Sequence, residues 1–523
     1  MLWLALHLPL LPLEAFCATL PADQAARSVA LVVDHRVSLV NSAAAERGLR
    51  PGIKRATALA LAADLLLADS HPGREAAALQ AVAHAALAFT PAVALQDAQT
   101  VVLDVHTSLR LFGGLAALHQ QLLAALKPLG HHLNMAAAPT ALGAALLAQW
   151  APRHRAGHQV DHQADLVLGA HATQPSALQT LLHQAPVWLL GPGREHWEAL
   201  QGMGLHTLAD LHALPRAGLA RRFGQGLLDD LDRALGQQAD PRQWLELPAT
   251  FDSRLELFAR ADTTEQVLHG AQVLLARLVA WAQARQARVA AFTLRMLHEK
   301  ARNTATPATE LHIELAEPAL DAAHLQSLLK ERLGRLALIA PTLGLQLLCH
   351  QLVATPAPNG ELFPTRASAA EGLTRLLERL RARLGDEQVQ RLVAVADHRP
   401  EHASRSVPAQ GEAPLTTPVA SVNAACIAYP ETPLPLHRPA WLLSEPLPLN
   451  ERDALPLLHG KALQLVSGPE RIETGWWDGD SVARDYFIAM APDGSLVWVY
   501  RARLPAALAR QDEPHWYLQG LFA

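Results

Sequence analysis

The chain has 523 residues, of which 50% are hydrophobic, and its formal net charge is -5. This hydrophobic fraction excludes a wholly disordered protein, and the length predicts several domains, each with its own core. The negative net charge excludes a protein that attracts nucleic acid over its whole surface, so any DNA contact must come from local groups of arginine and lysine.

The cysteines and histidines form no pattern of a metal site. The three cysteines lie far apart, with no CxxC spacing, and the 26 histidines include no HExxH pair. Widely separated cysteines are typical of proteins in a reducing compartment. We therefore expect no structural metal, and nothing in the sequence indicates a cofactor.

The first 16 residues are apolar but do not have the features of a targeting segment. Pro9 and Pro12 interrupt them, and no basic region precedes the apolar run. A signal peptide needs that basic region and a cleavage site, and a membrane helix needs about 20 uninterrupted apolar residues. We expect a buried strand at residues 2–8, and a soluble, cytoplasmic protein without a membrane partner.

Short strands and helices alternate over residues 1–165, which predicts a mixed α/β domain. Thr140 precedes an apolar helical stretch and is expected to cap it. The predicted strands are residues 29–33, 37–40 and 99–105, and the predicted helices are residues 42–47, 54–67, 74–89, a helix from about Gly114, and 140–150.

The strand at residues 99–105 ends in Leu103-Asp104-Val105. It resembles the second metal-binding strand of Y-family translesion DNA polymerases, in which an Asp-Glu pair precedes the same ending. Here Gln99 and Thr100 stand at the positions of that pair, and Leu6 stands where the resemblance places the aspartate of the first strand. Phosphoryl transfer by two metal ions needs closely spaced carboxylates. The resemblance therefore implies palm and fingers domains without catalytic residues and without a bound metal.

Residues 166–242 contain Gly191-Pro192-Gly193 and a second glycine-rich turn, which resemble the helix-hairpin-helix of a polymerase thumb. Glycine lets backbone amides approach a phosphate, and a helix N-terminus favours an anion. Such contacts position DNA without reading its sequence. An alternative is a tight helical hairpin that binds nothing. The candidate DNA contacts here are Gly191, Gly193, Arg194, Arg221 and Arg222.

Residues 243–356 resemble the little-finger domain of the same polymerases. Helices are predicted at residues 267–283 and 320–333, and strands at residues 289–297 and 311–315. A βαββαβ order places two helices on one antiparallel sheet. Arg285, Arg288 and Arg295 are the candidate DNA contacts, and acidic residues nearby predict weak, salt-sensitive and sequence-independent binding.

The remaining chain divides into three parts. Residues 357–398 are a short loop and a helix, residues 399–439 are rich in Pro, Ala, Thr and Ser and are expected to be a linker, and residues 440–523 are predicted to be β-rich. The aromatic residues of this last part indicate either the core of a small sheet or a docking face. Its predicted strands are residues 462–466, 486–490, 496–500 and 516–518, with a hairpin turn at Pro492-Asp493-Gly494.

The altered palm, Leu111-Phe112-Gly113-Gly114 and the tail SGPERIETGWWDGDSVARDYF together resemble the ImuB family of Y-family polymerase-like proteins. That resemblance implies a multidomain α/β and α+β protein that acts as a noncatalytic adaptor in SOS-type translesion synthesis and induced mutagenesis. Its implied partners are the sliding clamp, a RecA-like accessory protein (ImuA) and an error-prone C-family DNA polymerase.

The family's clamp-binding peptide resembles Gln-Leu-x-Leu-Phe, of which Leu362 and Phe363 retain the last two residues. These two side chains are candidates for clamp contact, or else they pack on the little-finger domain. Two other functions stay open from the sequence. One is an active translesion polymerase, and the other is a stand-alone DNA-binding repair module.

Overall fold

A computed structural model describes residues 1–21, 24, 26–150, 166–168, 172–299, 308–354, 366–409, 438–503 and 515–522, with the backbone alone at 166–168 and 366–372. The chain divides into two compact units, Met1–Arg383 and Leu384–Ala523. Among the residues described, no helix is long and apolar enough to cross a membrane.

The first part of unit 1 is the mixed α/β region expected from the sequence. Its strands are β1 Trp3–His7, β2 Val29–Val33, β3 Arg36–Val40, β4 Leu66–Asp69, β5 Val93–Asp97, β6 Thr100–Asp104, β7 Leu133–Ala138 and β8 Leu166–Leu168. Its helices are α1 Leu11–Cys17, α2 Ser42–Glu46, α3 Arg55–Leu61, α4 Pro72–Ala86, α5 Leu109–Phe112, α6 Leu115–Leu126 and α7 Ala141–Trp150.

The main sheet has five strands in the order β5-β6-β1-β7-β8, with β1 antiparallel to both of its neighbours. Alternate side chains of β1 enter two different cores. Leu4 and Leu6 join the core under α4 and α6, whereas Trp3 and Ala5 join the core under α7. The predicted cap of α7 is confirmed, because Thr140 Oγ1 accepts a hydrogen bond from the Gly143 amide at 3.1 Å.

A separate three-stranded sheet, in the order β3-β2-β4, corrects one sequence prediction. The helix expected at residues 54–67 ends at Leu61, and Leu66–Asp69 instead forms β4, parallel to β2. A short apolar run such as Leu65-Leu66-Leu67 fits a helix and a buried strand equally well, so its periodicity could not separate the two. Pairing with β2 decides the outcome.

Residues 175–235 form an all-helical region that packs on α7. Gly193 lies in its interior, where a Cβ atom would stand 2.2 Å from the Val187 carbonyl oxygen. Gly191 has room for a Cβ, since the nearest atom would be an Asp230 carboxylate oxygen at 3.9 Å. The helices are α8 Pro175–His183, α9 Gly191–Glu195, α10 Trp197–Gly202, α11 Leu208–His212, α12 Arg216–Phe223 and α13 Gln225–Leu235.

The next region has the βαββαβ order that the sequence predicted. Its antiparallel sheet has the order β11-β10-β12-β9, and α14 and α15 pack together on it. Reciprocal capping between Thr263 and Gln266 fixes the start of α14. The elements are β9 Phe251–Ala261, α14 Thr264–Ala284, β10 Ala287–His298, β11 Ala308–Ala319, α15 Ala322–Gly334, β12 Thr342–Ala354 and, after it, α16 Arg366–Leu384.

Unit 2 is rich in β-structure, as expected. The hairpin turn at residues 492–494 is confirmed, because the Ala491 amide donates to the Ser495 carbonyl oxygen at 2.8 Å. The strands are β13 Gln390–Ala394, β14 Ser404–Pro408, β15 Trp441–Arg452, β16 Leu455–Leu458, β17 Lys461–Ala462, β18 Gln464–Thr474, β19 Val482–Met490, β20 Leu496–Ala502 and β21 Trp516–Leu521. All but β13 and β14 belong to one seven-stranded sheet.

The predicted linker at residues 399–439 is wrong for its first part. Ser404–Pro408 is a strand that pairs with Gln390–Ala394, and Arg399 is 4% exposed. The composition of the segment indicated a linker because it averaged these ordered residues with the Pro-rich ones that follow. Residues 410–437 lie outside the described part of the chain.

Gly193→Ala should destabilise the chain by about 1–3 kcal/mol, because its methyl group would overlap a backbone carbonyl that cannot rotate away. Gly191→Ala, two residues earlier in the same helix, should change the free energy of unfolding by less than about 0.5 kcal/mol. Urea unfolding of both variants measures the difference. Equal effects of the two substitutions would contradict the packing role of Gly193.

Candidate functional site

A cleft of about 870 Å³ lies where the main sheet meets the small three-stranded sheet and the helical region. Of the three positions predicted from the sequence, Gln99 lines it and Thr100 lies beside it. The polar and aromatic residues that line it include His7, Glu75, Asp97, Gln99, Gln149, Trp188, Arg194 and Trp197.

A hydrogen-bonded network forms the sheet side of the cleft. His7 and Thr100 are directly opposite each other on β1 and β6, and His7 Nδ1 lies 3.0 Å from Thr100 Oγ1. Gln149 Nε2, on α7, donates to Asp97 Oδ2 at 3.0 Å and lies 3.4 Å from Thr100 Oγ1. These four side chains are linked by hydrogen bonds to one another, and Asp97 is the only carboxylate among them.

The structure corrects the position expected for Leu6. Leu6 is opposite Val101, and both side chains are fully buried in the core under α4 and α6. Side chains alternate between the two faces of a strand, so a shift of one residue moves a side chain to the other face. His7, and not Leu6, therefore stands beside Thr100 at the cleft. Gln99 lines the cleft and Thr100 hydrogen-bonds to His7 beside it, and their correspondence to the metal-binding pair of the polymerases stays a prediction.

The carboxylates that line this part of the cleft already accept hydrogen bonds from nearby backbone amides. Asp97 Oδ1 accepts the Gln99 amide at 2.8 Å and so closes the turn between β5 and β6. Glu75 Oε1 accepts the Ser70 hydroxyl at 2.7 Å and the His71 amide at 2.8 Å, at the start of α4.

Asp104 does not join these carboxylates. It pairs with Trp3 at the far end of β6, four residues from Thr100, which is about 13 Å along a strand. Within the described ranges, no group of three or more His, Cys, Asp or Glu residues is arranged to hold a metal ion.

Arg194 is the predicted thumb residue that reaches the cleft. Its Nε donates to the Trp188 carbonyl oxygen at 3.4 Å, and both residues line the cavity. The two glycines predicted beside it have other surroundings. Gly193 is required by packing, and Gly191 lies next to Asp230, whose carboxylate would repel a phosphate. This geometry favours Arg194 over the two glycines as a DNA contact.

Arg221 and Arg222 are exposed in the last turn of α12. Neither forms an ion pair within the residues that the structure describes, whereas Arg216 at the start of the same helix pairs with Asp232. The Arg222 guanidinium lies 5.7 Å from the centre of the Phe223 ring. The pair therefore presents two positive charges to solvent.

The three arginines predicted in the next region differ in what they contact. Arg285 donates to the Pro248 carbonyl oxygen at 2.6 Å and lies 5.5 Å from the Trp281 ring centre, so it supports the end of α14. Arg295 pairs with Glu310 at 2.8 Å. Arg288 is half-buried on β10 and takes part in no ion pair of the described chain.

Two exposed tryptophans form a feature of unit 2 that sequence reasoning left unassigned between core and surface. Trp476 and Trp477 are 79% and 55% exposed, in the turn between β18 and β19. Their rings meet edge to face with their centres 5.5 Å apart. The aromatic core lies elsewhere in the sheet, where Tyr486 and Trp498 stack with ring centres 4.2 Å apart.

Arg399 fixes the shape of this tryptophan turn. Its guanidinium binds the Asp397, Asp478 and Asp480 carboxylates and also donates to the Asp480 carbonyl oxygen at 3.1 Å. The hydrogen bonds from Arg399 lower the pKa of Asp397 to about 2. At Gly475 φ is 83°, and a Cβ would meet the Asp480 carbonyl oxygen at 2.1 Å, so the turn requires glycine there.

The clamp-contact candidates Leu362 and Phe363 lie outside the described residues. Their environment therefore remains a prediction.

Comparison with known proteins gives one extensive match in sequence. The chain is 30% identical over 495 residues to Protein ImuB of Caulobacter vibrioides, in two strains, and the match covers 91% of this chain and 100% of the relative. No protein-family model matches the chain.

The similarity of this chain to solved structures is low. An insertion ternary complex of Dbh DNA polymerase is 13% identical with a TM-score of 0.37, covering 68% of this chain and 100% of that one. DinB from Sulfolobus solfataricus is 15% identical with a TM-score of 0.36, covering 67% of this chain and 98% of that one. The assignment depends on the sequence match, which spans the relative from end to end. The chain belongs to the ImuB family.

Proposed function

We propose that this chain is a noncatalytic, polymerase-like adaptor in SOS-type translesion DNA synthesis and induced mutagenesis. It would hold DNA weakly while it links the sliding clamp, a RecA-like accessory protein of the ImuA type and an error-prone C-family DNA polymerase. The observation that carries the proposal is the network of His7, Thr100 and Gln149 at the cleft, in which Asp97 is the single carboxylate.

The donors in the cleft do not fit two-metal catalysis. Two magnesium ions that bridge attacking and leaving oxygens need several carboxylate oxygens within a few ångströms. Thr100 is fully buried and hydrogen-bonded, and the Asp97 and Glu75 carboxylates hold a turn and a helix start. The second candidate function is an active polymerase, which would have to bind its metal ions with these same two carboxylates.

Primer extension tests this point. The purified full-length chain should add no nucleotide to a primed template with Mg²⁺ or Mn²⁺, because Asp97 and Glu75 are the only carboxylates among the described residues that line the cleft. A mock purification from cells without the gene measures contaminating polymerase. Extension above that background, and lost on Asp97→Asn or Glu75→Gln, would contradict the noncatalytic assignment.

For DNA contact we propose the arginines that have no acidic partner in the described chain. Arg221, Arg222 and Arg288 meet this condition, and Arg194 lines the cleft. Arg295 is neutralised by Glu310, and Arg285 is engaged with a backbone carbonyl. With so few contacts and a net charge of -5, binding should be weak, sequence-independent and salt-sensitive.

Arg221→Gln together with Arg222→Gln should lower DNA affinity equally for unrelated sequences. Each lost phosphate contact removes about 0.9 from the slope of log K against log salt, so the slope should fall by up to about 1.8. Fluorescence anisotropy over a salt series measures it. Arg295→Gln is the matched control, since its charge is already paired, and should leave the slope unchanged. An unchanged slope in the double variant would remove α12 from the interface.

For the protein partners we propose two separate contacts. Leu362 and Phe363 would fill the apolar pocket of the sliding clamp, in which a short extended segment loses little additional freedom. Trp476 and Trp477 would contact the ImuA-like protein or the C-family polymerase. Large exposed aromatics on a well-fixed turn are the residues that dominate many protein interfaces. Several weak contacts on one chain can together give stable assembly.

Paired substitutions separate the two contacts in pull-down experiments with purified partners. Leu362→Ala with Phe363→Ala should abolish capture of the clamp and keep the other partners. Trp476→Ala with Trp477→Ala should do the reverse.

The control for the Trp476 and Trp477 contact is Trp441→Ala. Trp441 is another tryptophan of unit 2, 70% exposed and outside the turn. Its removal should leave the capture of every partner unchanged. Capture of all partners by the variant without Trp476 and Trp477 would show that these tryptophans are not the contact. Capture of the clamp by the variant without Leu362 and Phe363 would show that the clamp binds another part of the chain.

A further inference from the structure

A second cavity, of about 450 Å³, lies between α4, β9 and α14 on a different set of residues from the cleft. The first turn of α4 lines one side, with His71, Gly73 and Arg74. Ser253 on β9 and Arg277 on α14 line the other. Nothing in the proposed adaptor function uses this cavity.

Arg277 is the unusual group in it. Its side chain is buried, with 6% of the residue exposed, and within the described residues its one hydrogen bond is to the Ser253 hydroxyl at 3.3 Å. No carboxylate of the described chain pairs with it. A buried charge without a counter-ion is strongly unfavourable, and burial alone lowers the pKa of Arg277 to about 10.

Arg74 adds a second cation from the opposite wall. One guanidinium nitrogen donates to the Asp69 carbonyl oxygen at 3.1 Å, while its Nε is buried without a hydrogen-bond partner among the described residues. Burial also lowers the pKa of Arg74. Arg74 stands in the first turn of the 15-residue helix α4, where the helix dipole favours an anion.

The charged residues that line the cavity are three arginines and two carboxylates, and the carboxylates of Glu75 and Glu256 interact electrostatically with Arg74. Asp252 accepts a hydrogen bond from Gln346 at 2.7 Å, and Arg254 stands beside it on β9. Glu256 is the remaining carboxylate of the wall. His71 and His84 also line the cavity, and burial lowers the pKa of His84, so this ring is a neutral hydrogen-bonding group at pH 7.

We propose that this cavity binds the phosphate group of a small molecule, either free phosphate or a mononucleotide, with Arg277 and Arg74 as its cationic ligands. An oxyanion between the two guanidinium groups would accept further hydrogen bonds from both, beyond those to Ser253 and to the Asp69 carbonyl oxygen. Arginine presents a planar fork of donors that matches phosphate geometry. A volume of about 450 Å³ lies within the range of pockets that hold small ligands.

Binding is tested with the full-length chain by calorimetry and thermal unfolding. Inorganic phosphate should bind at one site and raise the melting temperature relative to chloride at equal ionic strength. Adenosine monophosphate is the second probe. Tighter binding of the nucleotide would assign the site to a nucleotide, and equal binding would assign it to free phosphate. No phosphate response by either method in the unaltered chain would overturn the proposal.

Substitutions identify the ligands. Arg277→Met should weaken phosphate binding by about tenfold to hundredfold, the usual effect of losing a charged hydrogen bond. Without phosphate it should unfold no earlier than the parent chain, because it removes an unpaired buried charge. Arg74→Gln, on the more accessible wall, should also weaken binding and keeps the test valid if Arg277→Met fails to fold.

The matched control is Arg260→Met on the same strand as Ser253. Arg260 is exposed and lies 3.5 Å from Asp262, outside the cavity, so the phosphate response should persist. A phosphate response that is as strong in Arg74→Gln as in Arg260→Met would show that the anion binds elsewhere, and would overturn the assignment.

Discussion

The register of β1 between β6 and β7 is the constraint on which the cleft depends. This strand is central and antiparallel to both neighbours, and its side chains enter a different core on each face of the sheet. Fully burying a leucine stabilises a fold by about 1.5–3 kcal/mol, and Leu4 and Leu6 are both completely buried. A slip by one residue would put both leucines on the wrong face. The same pairing sets His7 against Thr100, so the register of β1 also decides which polar group faces the cleft.

The network at the cleft consists of polar side chains that hydrogen-bond to one another. A set of bare carboxylates would repel one another unless cations lay between them. His7, Thr100 and Gln149 carry no fixed negative charge, and Asp97 is stabilised by an amide on each oxygen. The cleft therefore keeps its form without several carboxylates brought close together.

The sequence predicted the structure correctly where a local residue pattern determines the secondary structure of a segment. The buried strand β1, the βαββαβ order and the hairpin at residues 492–494 all follow from local patterns and turn residues. It failed where distant contacts decide the result. The run at Leu66–Asp69 became a strand because β2 lies beside it.

Other failures have the same origin. Strand β15, Trp441–Arg452, was missed because it contains Pro446 and Pro448, and proline within a run argues against a strand. The strand forms nevertheless, because it pairs with β16 and β21. The anchoring role of Arg399 depends on Asp478 and Asp480, some 80 residues away along the chain, so composition alone assigned it to a linker. The choice between Leu6 and His7 needed the register of the sheet.

Two buried arginines show why burial by itself does not define a role. Arg399 is surrounded by three aspartates, which raise its pKa, and its charge is used to fix a turn that presents two tryptophans. Arg277 has a single neutral hydroxyl, and burial lowers its pKa. A buried charge with partners has a structural role, because removing it would leave the charges of its partners uncompensated. An unpaired one has no such explanation within the described chain, and a bound phosphate would supply the counter-charge that Arg277 lacks there.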